Sequence, residues 1–221
     1  MYQPASFKET RPEVLRGLIR QHPLAVIVTL DDTGLVANHI PLELDAELGE
    51  HGTLRGHVAR ANPMWKSHRP EVDALAIFQG PGAYITPSYY ATKAATGEVV
   101  PTWNYATVHA HGPLRVIDDA AWLRRFVEQL TVRHEAERQA ATGAVPWQVG
   151  DAPAPYLDRM IKAIVGIEIP IARIAGKWKV SQNRPADDRA GVAAGLREPR
   201  STSDLGDASR LAMAALVDER S

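Results

Sequence analysis

Short apolar runs recur along most of the chain and predict β-strands. Residues 24–30 (LAVIVTL) are rich in β-branched side chains, and the turn residues 31–34 (DDTG) join this run to the next one. Two such runs linked by turn chemistry predict a hairpin. The runs that predict strands are 24–30, 35–44, 53–58, 72–78, 108–117 and 165–174.

Helical periodicity predicts a first helix that begins at residues 10–13. Thr10 can cap it, Glu13 completes a capping box, and Pro12 lies in the first turn. The helix should stop near His22 and Pro23. Asn62 and Pro63 predict a short second helix at residues 64–66.

Two acidic residues, Asp118 and Asp119, predict the start of a long amphipathic helix. The residues expected on its inner face are Trp122, Leu123, Phe126, Val127, Leu130 and Val132. A further helix is predicted at 156–165, followed by a final, loosely attached helix. The inner face predicted for this last helix consists of Leu211, Ala212, Ala215 and Leu216.

The remaining segments are predicted to be irregular. Residues 79–107 are rich in Gly, Pro, Thr and Tyr, and residues 135–150 are polar. Strands outnumber helices and short turns join most of them, which favours a mainly β fold (β/α+β) with peripheral helices over a βαβ sheet. We expect one domain over 1–196 and a C-terminal helical tail over 197–221.

Composition narrows the classes of function. The chain has 221 residues, a formal net charge of −1 and no cysteine. Disulfides, thiol catalysis and cysteine-ligated metals are therefore excluded. The overall charge gives no field that would attract nucleic acid. We find no signal peptide and no apolar stretch long enough to span a membrane, so we expect a cytoplasmic, soluble protein.

A basic stretch at residues 54–69 contains no acidic residue. It contains Arg55, Arg60, Lys66 and Arg69, and it includes the predicted start of the short helix after Asn62. Cations beside a helix amino terminus suit a phosphate group. The alternative is an ordinary turn whose basic side chains are solvated.

Aromatic residues concentrate in the uncharged part of the chain around 78–90 and 101–105. The members are Phe78, Tyr84, Tyr89, Tyr90, Trp103 and Tyr105. Aromatic side chains beside Asn, Ser and Thr are typical of a site for a flat ring. They could equally close one end of a barrel or form a subunit interface.

A second basic stretch without acidic residues covers residues 173–184. Ser181, Gln182 and Asn183 lie within it and offer paired donors and acceptors for a heterocycle or a phosphate. A turn at the end of a strand would explain the same tripeptide.

Histidines give only a weak metal signal. His109 and His111 would lie on one face of a strand, and His57 or His39 could join them, but no convincing third ligand follows. The segment that begins at His134 lacks the second histidine of a zincin site. The chain also lacks the Rossmann, P-loop and α/β-hydrolase motifs and a helix-turn-helix with a basic recognition face.

Taken together, these segments resemble the PaiB-like proteins, a family described as FMN-binding negative transcriptional regulators. The resemblance covers about 190 residues in the family's order. It rests on Met1-Tyr2-x-Pro4-x-x-Phe7, Asn38-His39-Ile40-Pro41-Leu42, Gly56-His57-Val58-Ala59-Arg60-Ala61-Asn62-Pro63-x-Trp65, Gly80-Pro81-x-Ala83-Tyr84-Ile85-x-Pro87-Ser88-x-Tyr90, Val100-Pro101-Thr102-Trp103-Asn104-Tyr105 and Lys177-x-x-x-Ser181-Gln182-Asn183-Arg184.

The resemblance implies an FMN-binding split β-barrel that forms a homodimer with flavin at the subunit interface. By analogy with split-barrel flavin oxidases, Asn38 and His39 would approach the flavin ring, whereas Arg60, Asn62 and Lys66 would hold its phosphate. Many of those oxidases have Arg where this chain has His39, and a His contact is weaker and depends on pH. The predicted cofactor-binding residues are Asn38, His39, His57, Arg60, Asn62, Trp65, Lys66, Tyr84, Trp103, Asn104, Lys177, Ser181 and Gln182.

The function predicted from these features is an FMN-binding, dimeric transcriptional regulator. A small flavin-dependent oxidoreductase and a haem-binding split barrel are the alternatives. DNA is a candidate partner although no recognition element is visible, and no membrane or metal is expected. No catalytic residue can be named, because a bound flavin would itself carry any redox chemistry.

Overall fold

The computed structural model describes residues 1–198 and 204–220, with the side chains of residues 204–206 outside the description. The chain divides into two compact units. Unit 1 comprises Met1–His22, Phe78–His109 and Ala175–Ser221, and unit 2 comprises Pro23–Ile77 and Ala110–Ile174.

The described residues form strands, α-helices and single 3₁₀ turns. The strands are β1 (Lys8–Glu9), β2 (Leu24–Asp31), β3 (Gly34–Pro41), β4 (Glu43–Asp45), β5 (Thr53–Ala59), β6 (Ala74–Ile85), β7 (Thr102–Gly112), β8 (Arg115–Ile117), β9 (Ile164–Pro170) and β10 (Arg173–Lys179). The α-helices are α1 (Pro12–Gln21), α2 (Met64–Ser67), α3 (Thr92–Ala95), α4 (Ala120–Thr142), α5 (Ala154–Lys162), α6 (Ala186–Arg197) and α7 (Asp204–Asp218). The 3₁₀ turns are Ala5–Phe7, Pro87–Tyr89 and Val149–Asp151.

Unit 1 contains the strand order β1–β10–β7–β6, and β1 pairs antiparallel with β10. Helix α1 buries Leu15, Leu18 and Ile19 against these strands. A Cβ on Gly176 would lie 2.1 Å from Leu15 Cδ2, so β10 needs glycine where α1 approaches. The helix ends at His22, as Pro23 predicts.

The predicted capping box of α1 is wrong. The residue at the N-cap is Arg11, and Thr10 does not cap the helix. Instead, the Glu9 carboxylate accepts hydrogen bonds from the backbone N–H groups of Thr10 and Arg11 at 3.0 and 2.9 Å. Glu9, which lies just before the helix, therefore supplies the hydrogen-bond acceptor that was expected from Thr10 and Glu13.

Unit 2 contains the predicted hairpin. Strands β2 and β3 pair from Leu24 opposite Pro41 to Asp31 opposite Gly34. The turn is held by the Asp31 carboxylate, which accepts from the Thr33 N–H at 2.7 Å. Gly34 follows with a φ of 117°, which glycine adopts readily. Strand β2 also pairs with β6, so the order in this sheet of unit 2 is β6–β2–β3.

A second antiparallel sheet of unit 2 has the order β4–β5–β9–β8. Asp119 caps α4 as predicted, because its carboxylate accepts from the Trp122 N–H at 2.7 Å. A Cβ on Gly166 would lie 2.5 Å from the Trp122 ring, so β9 meets this helix at a glycine. Trp122 in turn stacks on Phe126 at 5.2 Å between ring centroids.

Two segments predicted to be irregular contain regular structure. In the 79–107 segment, β6 continues to Ile85 and β7 begins at Thr102, so only the middle is turn and short helix. In the 135–150 segment, α4 continues to Thr142 and ends at Gly143 with φ 69°. Val132 of this helix is 65% exposed, so its prediction as an inner residue is wrong.

The C-terminal part of the chain differs from its prediction in two ways. Helix α6 was not predicted from the sequence. Helix α7 is present, but its buried residues are Arg210, Met213, Ala214 and Val217. Leu211 is 52% exposed, so the predicted inner face is wrong, and the complete burial of Met213 contradicts a loose attachment. Residues 199–203 and 221 of the predicted tail lie outside the described residues.

None of the helices in the described part of the chain is both long enough and apolar enough to cross a membrane.

Candidate functional site

The basic stretch at residues 54–69 is largely neutralised by carboxylates from other parts of unit 2. Arg55 donates to Asp45 at 2.7 Å and to Glu168 at 2.8 Å. Arg69 lies 3.2 Å from the Asp32 carboxylate. These two cations are therefore committed to ion pairs within the protein.

Arg60 is also occupied by acceptors of the protein. Its two terminal nitrogens donate to the Asp118 carboxylate at 2.9 and 2.5 Å, and its Nε donates to the Lys162 carbonyl at 2.7 Å. The Ile164 carbonyl accepts a further bond at 3.0 Å. The hydrogen bond from Arg60 lowers the pKa of the Asp118 carboxyl. Four of the five N–H groups of a guanidinium are thus in use, and little remains for a phosphate.

Lys66 differs from these arginines because its ammonium has no carboxylate partner among the described residues. The Lys66 side chain is exposed, and its Nζ lies 4.5 Å from the centroid of the Trp65 ring. Trp65 is fixed by a hydrogen bond from its Nε1 to the Arg60 carbonyl at 3.1 Å. The aromatic ring positions the ammonium without neutralising it.

Asn38 and Asn62 form the second part of this group. Asn62 Nδ2 donates to Asn38 Oδ1 at 2.8 Å, and Asn62 Oδ1 accepts from the Met64 N–H at 3.0 Å. The remaining donor, Asn38 Nδ2, is buried and has no hydrogen-bond partner in the part of the chain that the structure describes. A buried amide without a partner costs about 1–3 kcal/mol, so a ligand acceptor would be favourable there.

Helix α2 is shorter than its predicted role requires. It contains four residues, Met64–Ser67, and a single turn sums few peptide dipoles. The attraction of unit 2 for a phosphate must therefore come from the side chains of Asn38, Asn62 and Lys66.

The two histidines predicted to contact the cofactor occupy different environments. His39 is exposed and is the neighbour of Asn38 on β3, so the two side chains point to opposite faces of the strand. His57 packs edge-to-face against Phe126 of α4 at 6.0 Å between ring centroids. Burial lowers the pKa of His57 and favours the neutral ring.

Unit 1 carries the other predicted cofactor-binding residues. Tyr84 and Trp103 face one another edge-to-face at 6.1 Å, and they are 43% and 60% exposed. Asn104 is buried and donates from Nδ2 to Ser181 Oγ at 2.9 Å. The first pair presents aromatic surface to solvent, whereas the second pair is an internal support.

The turn after β10 uses its own polar groups. Ser181 has a φ of 66°, an uncommon value for a residue other than glycine. The Gln182 side chain folds back, accepting from the Val180 N–H at 2.8 Å and donating to the Trp178 carbonyl. The Gln182 amide therefore supports the turn.

Lys177 is buried, and no carboxylate of the described residues forms an ion pair with it. It is 8% exposed, donates to the Tyr2 carbonyl at 3.1 Å, and lies 5.5 and 5.3 Å from the centroids of the Tyr2 and Tyr105 rings.

The structure thus separates the predicted cofactor residues into small groups. In unit 2, Asn38 contacts Asn62, and Arg60 and Lys66 each contact Trp65. In unit 1, Tyr84 contacts Trp103 and Asn104 contacts Ser181. Their cofactor contacts stay predictions. Residues 1–198 and 204–220 contain no group of three or more histidine, aspartate or glutamate side chains arranged to hold a metal ion.

Sequence reasoning missed the partner of Arg60. Asp118, which occupies Arg60, gives no signal because it lies 58 positions away.

Comparisons with known proteins identify relatives over most of the chain. Residues 1–173 match a family model described as "Putative FMN-binding domain". An uncharacterised protein of Emericella nidulans is 36% identical over 252 residues, which covers 100% of this chain and 97% of the relative. Protease synthase and sporulation protein PAI 2 of Bacillus subtilis is 33% identical over 193 residues, which covers 87% of each.

A solved structure gives independent support for the fold. The FAD and haem binding protein from Mycobacterium smegmatis matches with a TM-score of 0.53 at 18% identity, covering 89% of each chain. The fold class is therefore the β-rich split barrel with peripheral helices, as predicted. Since the family model covers more than half of the sequence and the PAI 2 relative exceeds 30% identity, the chain belongs to the PaiB-like family of FMN-binding domains.

Proposed function

We propose that this protein binds FMN and that Asn38, Asn62 and Lys66 hold its phosphate. Family membership supports a flavin cofactor. The observation that carries the assignment of the phosphate is the buried, unpaired Nδ2 of Asn38. A phosphate oxygen would satisfy this donor.

The chemistry of the donor set fits a phosphate monoester. The Asn38 amide supplies a neutral donor, and the Lys66 ammonium supplies a charge that acts on Asp118 but forms no ion pair with a described carboxylate. Asn62 orients Asn38 through their hydrogen bond. Charge-assisted hydrogen bonds to phosphate are stronger than neutral ones, so Lys66 should provide most of the affinity for the phosphate.

Arg60 acts in this proposal as a positioning residue. Its bonds to Asp118 and to two carbonyls fix the end of β5, and its own carbonyl holds the Trp65 ring beside Lys66. Direct contact with phosphate would require Arg60 to give up part of the Asp118 pair.

In the proposal, aromatic and imidazole side chains contact the flavin ring. Tyr84 and Trp103 present exposed aromatic surface, which suits the packing of a flat ring. His39 is exposed and free to approach a ligand on its own face of β3. The remaining predicted cofactor residues, His57, Asn104, Lys177, Ser181 and Gln182, support the surrounding structure in this proposal.

FMN, when bound, supplies electron transfer, and no side chain is assigned as an acid or base. We infer a cytoplasmic homodimer with a regulatory role. The regulatory role is supported by the name of the Bacillus subtilis relative, a protease synthase and sporulation protein. A small flavin-dependent oxidoreductase is the second candidate, supported by the flavin family itself. Direct DNA binding would require a recognition surface formed by the assembled protein.

Titration of the full chain with FMN, FAD and haem tests the proposal. We expect saturable binding of FMN at micromolar concentrations, with quenched flavin fluorescence and a shifted flavin absorption band. Tighter binding of haem, with a Soret band, would replace the proposal by the haem-binding alternative. Absence of FMN binding would refute it.

A further inference from the structure

Unit 1 contains a group of cations that the proposed FMN phosphate residues do not include. Lys179, Arg184 and Arg189 have no carboxylate within ion-pair distance among residues 1–198 and 204–220. Charges that are partly buried are normally paired, because their desolvation is costly. This group therefore lacks a counter-ion of its own.

Specific contacts hold the group together. Arg184 Cζ lies 4.8 Å from the centroid of the Tyr90 ring, and the Arg184 carbonyl accepts from Arg189 Nη1 at 2.8 Å. The Arg184 N–H donates to the Ser181 carbonyl at 2.9 Å, which closes the turn after β10. The left-handed backbone of Ser181 thus sets the direction from which Arg184 reaches Tyr90.

Two buried polar atoms in the group lack hydrogen-bond partners. Among the described residues the Tyr90 hydroxyl has no partner in good hydrogen-bond geometry, although the residue is only 3% exposed and the nearby Arg184 acts on it, and Nε of Arg189 is also unsatisfied. Burial raises the pKa of the Tyr90 hydroxyl, so it remains a donor. Unsatisfied donors of this kind are uncommon in native proteins and indicate an absent acceptor.

Asp188 lies close enough for its charge to act on Tyr90, but it forms no ion pair with the three cations of the group among the described residues. Asp188 is buried, and its two carboxylate oxygens accept from the Thr92 N–H at 2.9 Å and from the Thr92 hydroxyl at 3.0 Å. Lys179 donates to the Trp103 carbonyl at 2.6 Å. Burial and the charges of Lys177 and Arg184 lower the pKa of Lys179, which indicates an unbalanced positive potential.

We propose that unit 1 carries an anion site formed by Lys179, Arg184, Arg189 and the Tyr90 hydroxyl, and that its ligand is a phosphate dianion. Two guanidiniums and an ammonium carry three positive charges, which is more than enough to balance a dianion, and the guanidinium fork matches its oxygens. The phosphate belongs to a second, phosphorylated ligand, or to FMN if Asn38, Asn62 and Lys66 do not hold it.

Inorganic phosphate is the first probe. Thermal unfolding of the full chain is measured in phosphate and in chloride at equal ionic strength. We expect phosphate to raise the Tm of the wild type in a saturable manner. In Arg184→Gln, the phosphate concentration that gives half of the maximal increase in Tm should be about tenfold higher. Arg173→Gln, which alters an exposed cation of the same stretch, should behave as the wild type.

Tyr90→Phe is the most specific variant, because it removes only a hydroxyl that has no partner in good hydrogen-bond geometry among the described residues. We expect its Tm in chloride to match or exceed that of the wild type, whereas its response to phosphate weakens. This variant keeps the test valid if Arg184→Gln does not fold. Equal phosphate effects in the wild type and both variants, or no phosphate effect in the wild type, would overturn the proposal.

FMN and riboflavin identify the source of the phosphate. If Tyr90→Phe weakens binding of FMN but not of riboflavin, the site holds the cofactor phosphate, and the assignment of that phosphate to Asn38, Asn62 and Lys66 is wrong. If it leaves FMN affinity unchanged while the response to inorganic phosphate falls, the site serves a second ligand. Both results support an anion site, and failure of FMN binding itself would affect only the function proposed above.

Discussion

Lys66 shows why a basic stretch of sequence does not by itself form a basic surface. Residues 54–69 contain no acidic residue, but folding brings Asp45, Asp118 and Asp32 to the three arginines. Lys66 has no such partner among the described residues. One cation of four therefore remains available for a ligand.

Lys66→Gln should weaken FMN binding by about 1.5–3 kcal/mol, the usual range for a lost hydrogen bond to a charged group. Arg69→Gln is the matched control, because Arg69 is a nearby cation paired with Asp32. The measurement is the FMN dissociation constant of each variant. Equal losses in the two variants would show that Lys66 acts through general charge alone.

Glu9 is the most strongly perturbed carboxyl of unit 1. Burial alone would raise its pKa, but hydrogen bonds from Arg11 and the charges of Arg220 and Arg11 lower it to about 2 from the usual 4.5. A depressed carboxyl pKa stabilises the fold above the unfolded pKa. The contribution is complete above pH 4.5 and disappears as the pH falls to about 2.

Glu9→Gln should destabilise the protein at pH 7 by about 3 kcal/mol, from about 1.4 kcal/mol per pKa unit. The difference from the wild type should shrink as the pH falls from 4.5 towards 2. Urea unfolding at several pH values measures this difference in the free energy of unfolding. Glu50→Gln, at a carboxyl whose side chain is 88% exposed, should show no such trend. A difference that stays constant with pH would contradict the role of the Glu9 charge.

Residue types and spacing predicted part of the candidate site. Asn62 and Pro63 predicted the start of α2, but the N-cap is Pro63 and no side chain caps the helix; Asn62, one residue earlier, instead accepts from the Met64 N–H. The pairing of Arg60 with Asp118 and of Asn62 with Asn38 could not be predicted, because partners 58 and 24 positions apart meet only after folding. Local sequence does not encode which cation is neutralised.

At the scale of elements, periodicity identified helix α7 but assigned the wrong face to it. Residues 211–216 (LAMAAL) are all apolar, so every face of this part of the helix carries apolar side chains. Burial, not periodicity, determines that Met213, Ala214 and Val217 face inwards. Where apolar residues lie on several faces, packing partners decide the orientation.

Met213→Ala should lower the free energy of unfolding by about 2–5 kcal/mol, because it removes a fully buried side chain and leaves a cavity. Leu211→Ala removes a side chain of similar size that is 52% exposed, so it should lower the free energy of unfolding by less than about 1 kcal/mol. Chemical denaturation of both variants provides the comparison. Similar costs would show that α7 does not pack through the Met213 face.

Strands with clear turns were predicted well, and strands that continue through Gly and Pro were not. The 31–34 turn defined the β2–β3 hairpin correctly. The end of β6 was missed because Gly80, Pro81 and Gly82 resemble a loop. A Cβ on Gly80 would lie 2.8 Å from Leu18 Cδ1, so close packing in unit 1 explains a glycine within that strand.

At the scale of the whole molecule, the order of motifs predicted the family where individual motifs did not. The fold class follows from that resemblance and is confirmed by the solved relative from Mycobacterium smegmatis. The assembly is a proposal, and it predicts a homodimer. Sedimentation at micromolar concentration should give twice the chain mass of 24.2 kDa. A monomer with FMN bound would contradict the dimer without affecting the cofactor.

The most direct test of the proposed function compares the affinities of the full chain for FMN and riboflavin. The two ligands share the flavin ring and differ in the phosphate that Asn38 and Lys66 are proposed to hold. We expect FMN to bind at least about tenfold more tightly, which corresponds to about 1.4 kcal/mol. Equal affinities, or binding of neither ligand, would contradict phosphate recognition by these residues.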